Sequence, residues 1–217
     1  MMSAVKTAVR VAVMIMSCLV ALSSVAEAAT FRVDPSRSSL VVEICREGAA
    51  SRFAHDHVVQ ATSFSGRIIY DPAAPGTSSI SVEVNAATLR VDSPQMRQRF
   101  QVRGEPTPAD VSDIERNMKA EGQLHVAKFP LITFVSTTVT AERQGQYWVT
   151  GQLTIHGVAR TVRFPATVAM EGQTLRGTGT LSFTQSSFGY RPYSALLGAI
   201  KNRDAVTLHI DLVAIPE

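Results

Sequence analysis

The side chains best placed to do chemistry in this 217-residue chain lie in Phe53-Ala54-His55-Asp56-His57-Val58-Val59. Read as an extended strand, the segment turns His55 and His57 the same way as Phe53 and Val59, with Asp56 on the opposite face. Two imidazoles with origins about 7 Å apart can share a transition metal or hydrogen-bond a polar head group. As metal ligands, His55 and His57 make an incomplete set, since no third donor is visible nearby and His125 and His156 lie far along the chain. Structural histidines, a head-group site and a metal site all remain open as readings. Asp56 cannot orient either neighbouring ring, because adjacent strand residues face apart. Arg97, Arg99 and Arg103 follow Ser93-Pro94, and guanidinium groups beside a helix N-terminus suit a phosphate, although they also suit a solvated face. The chain lacks G-x-S-x-G, H-E-x-x-H, a phosphate loop and clustered C-x-x-C, so the expectation is not an enzyme. Cys45 shares a face with Val41 and Glu43 and reads as an inert thiol.

The elements that must carry these residues are strands. Between residues 128 and 170, three stretches alternate with period two. Ile132 and Phe134 oppose Thr133 and Val135. Tyr147, Val149, Leu153 and Ile155 oppose Thr150, Gln152, Thr154 and His156. Val162, Phe164, Ala166 and Val168 oppose Thr161, Arg163 and Thr167. The links Arg143-Gln144-Gly145-Gln146 and His156-Gly157-Val158 are short and carry glycine, so these strands should pair as hairpins in a meander. Further strands are expected at 39–46, 53–60, 64–70, 79–85, 175–184 and 205–213. Many short strands with turn signals between them mean a sandwich or a barrel, and closing a barrel removes exposed edges. Gly177 and Gly179 share a face with Leu175, Leu181 and Phe183, which suits a bend or a ligand lying against the backbone.

Between Asp92 and Lys128 the period changes. Ser93-Pro94 and Thr107-Pro108 each set a capping residue before a first-turn proline. Val111, Ile114 and Met118 fall at helical spacing, which predicts a helix over 108–121 with Gly122 ending it in a left-handed conformation. A second helical turn is expected at 193–200.

The first 28 residues read as a secretory signal peptide. Lys6 and Arg10 stand before an apolar run, and Ala26-Glu27-Ala28 supplies the small residues of a cleavage site. The run is shorter than the roughly 20 residues a membrane span needs. Ile15-Met16-Ser17-Cys18 matches a lipoprotein site only loosely. Residues 29–217 then form one domain, placed in the periplasm by export, with secretion a further destination. Loss of Lys6, Arg10 and Glu27 takes the formal charge from +3 to +2. That is too mild to argue for nucleic acid. Only Cys45 remains, so no intramolecular disulfide can form and the core must hold the fold.

KFPLITF at 128–134, VTGQLTIHGVARTV at 149–162, FRVDPSRSSL at 31–40 and SSFGY at 186–190 resemble the YceI-like family of periplasmic lipid-binding proteins. The resemblance runs from Phe31 to the C-terminus, and the His55-Asp56-His57 strand departs from the family's commonest pattern. It implies an all-β fold, an extended antiparallel lipocalin-like barrel with a short helical insertion, holding an isoprenoid chain inside. On that reading the lumen is lined by Phe53, His55, His57, Phe64, Ile68, Val82, Ile132, Phe134, Val162, Phe164, Leu181, Phe183 and Leu208. Strand alternation alone cannot separate a lumen from a dry core, because the same residues would fill either. The leading expectation is a carrier for a lipophilic small molecule of polyprenyl or quinone type, with no required cofactor and no membrane span, compatible with a homodimer. The alternatives are a metal- or haem-linked redox or stress protein using His55 and His57, a small lipid-enclosing hydrolase or isomerase, and an interaction module with a filled core.

Overall fold

The computed structural model describes residues 28–217 except Arg103, and nothing is described for the Phe53 side chain. The leader up to Glu27 and Arg103 therefore lie outside the described residues. The strands are β1 (Ala29–Val33), β2 (Ser39–Ile44), β3 (Arg46–Glu47), β4 (His57–Ala61), β5 (Phe64–Tyr70), β6 (Ser79–Asn85) and β7 (Leu89–Val91). After helices α1 (Pro94–Arg99) and α2 (Pro108–Lys119) come β8 (Leu131–Arg143), β9 (Gln146–Ile155), β10 (Val158–Glu171) and β11 (Thr174–Thr184). The chain ends with β12 (Ser194–Ala195), β13 (Ile200–Asn202) and β14 (Ala205–Pro216).

The expected meander is β8-β9-β10, antiparallel throughout, and β11 continues it. β1 hydrogen-bonds both β5 and β14, so the ring β1-β5-β6-β8-β9-β10-β11-β14 closes into an eight-stranded antiparallel barrel. Closure satisfies every edge of that ring. The hairpin from β9 to β10 turns through His156 (φ 53°) and Gly157 (φ 73°), the two left-handed residues a tight twisted turn requires.

Three walls of the barrel are long strands broken at one level. β1 and β2 lie end to end along β14, β5 and β4 continue one another, and so do β6 and β7. Local chemistry makes the breaks. Between β1 and β2, Pro35 has no N–H to give, and the Asp34 carboxylate takes the Ser36 N–H at 3.0 Å and its hydroxyl at 2.6 Å. Between β6 and β7, Asn85 Oδ1 accepts the Ala87 N–H at 3.0 Å and starts a 3-10 turn. Above the breaks, β2-β4-β7 forms a panel whose strand pairing with the ring, among the described residues, runs along β14.

β6 pairs with β8 as far as Asn85 and Leu131, and β7 ends the sheet order with β4 as its one strand partner. The insertion covers that free edge. Thr107 and Asp110 form a reciprocal capping box at the start of α2, with Pro108 in its first turn. Ile114 and Met118 pack onto the barrel core, as their spacing predicts, and Val111 is half-buried. Glu115 ties the helix to β7 through Arg90 and accepts from Lys119 at 2.7 Å.

Several local expectations need correction. The 39–46 strand breaks at Cys45, whose carbonyl accepts the Arg203 N–H at 2.8 Å. The 53–60 strand starts only at His57, because Ser51–Phe53 coils into a 3-10 turn and the Asp56 carboxylate takes the Arg46 N–H at 2.8 Å. Ser93 precedes α1 but makes no side-chain cap, and its hydroxyl is buried without a partner. α2 stops at Lys119 with an extended Ala120, and the left-handed residue after it is His125 (φ 45°), not Gly122. The expected helical turn at 193–200 is instead β12, a 3-10 turn at Leu196–Gly198, and β13, which pairs with β3.

Candidate functional site

Inside the ring lies an apolar cavity of ≈ 180 Å³. Its walls come from the inward residues of every barrel strand but β1, together with the panel. Of the residues expected there, Ile68, Val82, Ile132, Phe134, Phe164, Leu181, Phe183 and Leu208 line it. Phe64 is buried in the core and Val162 is half-buried against the cluster around Val149, and neither lines the cavity. The rings of Phe134 and Phe164 sit 5.7 Å apart. Glycines make room for both. A Cβ on Gly151 would lie 2.6 Å from Phe134, and one on Gly179 would lie 3.2 Å from Phe164. Gly179 is thus a close-packing glycine, whereas a Cβ on Gly177 would meet nothing within 4 Å and Gly177 lines the cavity. At the end away from the panel, the Tyr70 and Tyr147 hydroxyls hydrogen-bond at 3.0 Å, which satisfies the two polar atoms brought into an apolar wall. Burial, together with that bond, pushes the Tyr70 hydroxyl well above its ordinary range, so it stays neutral.

Beside the cavity, at the panel end, lies a vestibule of ≈ 490 Å³. Val42, Val59, Leu89, Ile132, Ile155 and Phe183 line both spaces, so the two are neighbours along these side chains. The vestibule is mixed in character. Ile114 and Met118 of α2 face it, as do Asp110, Asp113, Asn117, Gln123, Gln185, Tyr190, Tyr193 and both expected histidines. The Phe53 side chain lies outside the described residues.

His55 and His57 reach the vestibule by different means. The His55 ring packs on Gly104, where a Cβ would come within 2.5 Å of it. His57 starts β4 and is held by a residue the sequence did not single out. Asp92 directly follows β7 and is buried, with φ 54°. One of its carboxylate oxygens bonds His57 Nδ1 at 2.7 Å. The other accepts the Val58 N–H at 3.0 Å and an Arg97 guanidinium N–H at 2.9 Å. A carboxylate only accepts, so His57 Nδ1 carries a proton and donates it, which leaves Nε2 outside that bond. Burial alone would raise the Asp92 carboxyl. The His57 bond and charge, the Val58 N–H and Arg97 outweigh it and hold the group below its ordinary value. The partner that fixes the imidazole is thus Asp92 rather than Asp56. The only sequence signal for it was an acid just before Ser93-Pro94.

Arg97 and Arg99 do not converge. Arg97 donates to Asp92 and to the carbonyls of Asp56 (3.2 Å) and Gly104. Arg99 points outward to Ser39 Oγ at 3.2 Å and Asp211 at 3.8 Å. Among the described residues no three His, Cys, Asp or Glu side chains are grouped to hold a metal. The Cys45 thiol is raised by partial burial and the Asp56 charge, which disfavours the reactive thiolate. Among the described residues no helix is long and apolar enough to cross a membrane.

The solved structure of Burkholderia cenocepacia BcnA superposes with a TM-score of 0.65 at 23% identity, covering 83% of this chain and 98% of that one. A Campylobacter jejuni YCEI protein gives 0.56 at 16% identity, covering 73% and 84%. A UPF0312 protein of Shewanella baltica is 30% identical over 162 residues, 68% of this chain and 75% of its own length. The model of the YceI-like domain matches residues 31–214, from within β1 to within β14, and the chain belongs to the YceI-like family.

Proposed function

We propose that this protein binds and carries a lipophilic isoprenoid, of polyprenyl or quinone type, in the periplasm. The tail would lie in the apolar cavity, and the head group would sit in the vestibule at His55 and His57. The observation that carries the reading is an almost wholly apolar cavity that shares six lining residues with a neighbouring chamber of mixed character. A dry core would have no reason to adjoin a chamber lined by two histidines and a capped helix. Each buried methylene contributes about 0.8 kcal/mol, so about ten give roughly 8 kcal/mol gross, the micromolar scale before the costs of association. Nonspecific burial discriminates weakly between tails of similar width. Selectivity would come from the head group, which the His57 ring, oriented through Nδ1 by Asp92, can meet by a hydrogen bond. Export by the first 28 residues would deliver the carrier to the periplasm, and no catalysis is required of it.

Native mass spectrometry on gently purified protein tests the reading. The expected result is a bound mass that organic extraction releases as an isoprenoid lipid. An empty wild-type barrel that also takes up neither a polyprenol nor a quinone in solution would refute it. Stoichiometric metal that survives dialysis and disappears in a His55→Ala/His57→Ala variant would instead favour the redox alternative.

A further inference from the structure

At the vestibule rim the chain between β12 and β13 folds into a short arm whose tip is Leu196-Leu197. These are the most exposed large apolar residues among those described, at 70% and 109% of full accessibility. Both are held at positive φ, 51° and 54°, a region that disfavours a side chain as large as leucine. Water gains nothing from two bare leucines in a strained backbone. The arm itself is fixed. Ala195 pairs with Ile200, and the Ala50 N–H donates to the Ala199 carbonyl at 2.8 Å. Gly48 sits so close that a Cβ there would be 2.5 Å from that carbonyl.

The setting of the tip decides what it meets. Tyr193 and Ile200, on either side of it, line the vestibule, and the leucines project beyond that lining. Arg191, Lys201 and Arg203 bracket the tip, and the stretch from Arg191 to Arg203 holds no carboxylate. Glu47 answers Lys201 at 3.8 Å from β3. Apolar side chains flanked by cations match a bilayer whose headgroups are anionic and whose acyl boundary lies just beneath.

We infer that the Leu196-Leu197 arm docks the rim onto an anionic lipid surface. The two leucines enter the headgroup layer, and the vestibule mouth is brought against it. This deepens the proposed function, resting on it only for what passes through the mouth. A carrier with such an arm exchanges its ligand across a desolvated seam instead of through water.

The test is flotation of the full mature chain with vesicles of phosphatidylcholine alone and of phosphatidylcholine mixed with phosphatidylglycerol. The variant is Leu196→Asn/Leu197→Asn. Asparagine tolerates the left-handed region, so the arm keeps its shape while its apolar surface goes. The expected result is wild-type binding to the anionic vesicles and weaker binding to the neutral ones. The variant should bind the anionic vesicles on the order of tenfold more weakly or worse, with an equal or higher thermal midpoint. Wild type that ignores anionic vesicles, or a variant that binds them equally well, overturns the inference. So does a wild-type dimer that the variant abolishes, since the tip would then be a contact between copies. Native mass spectra of the same samples separate the two ideas. A loaded barrel that leaves vesicles alone sinks the arm and spares the ligand. An empty barrel that binds vesicles through the arm does the reverse.

Discussion

Replacing Gly177 by phenylalanine would distinguish a ligand cavity from a filled core. Gly177 stands on β11 opposite Val168 and Leu212, both of which line the cavity, and a side chain there has open space in front of it. Its backbone is not at positive φ, so no left-handed strain opposes the change. Removing glycine from a strand interior relieves roughly 0.5–1 kcal/mol of entropic cost. Burying the new ring contributes up to about 1.5–3 kcal/mol. Part of that is offset by a ring that must choose one rotamer in a space of ≈ 180 Å³. The ligand-free protein should therefore be as stable as wild type, or more stable by about 1 kcal/mol. Lipid binding should fall steeply, because the ring and the tail claim the same volume. Urea unfolding of delipidated protein, together with quinone uptake followed by native mass spectrometry, reads both quantities. In a filled interior the same ring would overpack and cost about 1–3 kcal/mol. A destabilised variant that takes up quinone as well as wild type would refute the reasoning.

Phe134→Ala removes the ring that lies over Gly151 and borders the cavity. Delipidated protein should lose less than the roughly 3–5 kcal/mol of a packed core, because one side of that ring meets no protein; thermal and urea melts check this. Asp92→Asn removes the buried carboxylate that the Arg97 guanidinium and the His57 ring both meet and should cost about 3–5 kcal/mol near neutral pH. The Asp92 carboxyl is depressed on folding, so its contribution is full above the unfolded value of about 3.9 and is lost as pH falls through the lower folded value. The gap between wild type and variant should accordingly narrow in urea melts at about pH 3, and a constant gap would count against the network. N-terminal sequencing of exported protein should begin at Ala29, whereas intact Met1 in the membrane fraction would contradict cleavage.

The barrel walls were legible wherever one face is apolar over a long run. β9 and β10 alternate cleanly and pair as hairpins, with inward Val149, Leu153 and Phe164 all buried. The breaks were harder to read, because β1 and β7 are too short for periodicity to register and their ends are set by side chains taking up backbone N–H groups. Histidines two residues apart fit a strand equally well on paper. What prevents it is the Asp56 bond to Arg46, whose backbone comes from a different strand. Asp92 illustrates the wider difficulty. It meets His57 across 35 positions of sequence, and only the pairing of β4 with β7 brings them together. Alternation reports which way a side chain points. It does not report what has come to meet it.

The shared level at which three walls break has an energetic consequence. Below it every strand has two neighbours, and no rung can open without exposing the ring. Above it the β2-β4-β7 panel hangs from β14 along one seam, with α2 laid against its far edge by Ile114, Met118 and the Arg90–Glu115 pair. Swinging the panel outward thus gives up one ladder, the helix contact and the core packing of Leu40, Val59, Ala61, Leu89 and Val91, while the floor of the barrel keeps its hydrogen bonds. Two protection classes follow in hydrogen exchange, with the rim amides of β4 and β7 exchanging far sooner than those of β9 and β10. The molecule can be a permanent container at one end and a door at the other, each with its own free energy.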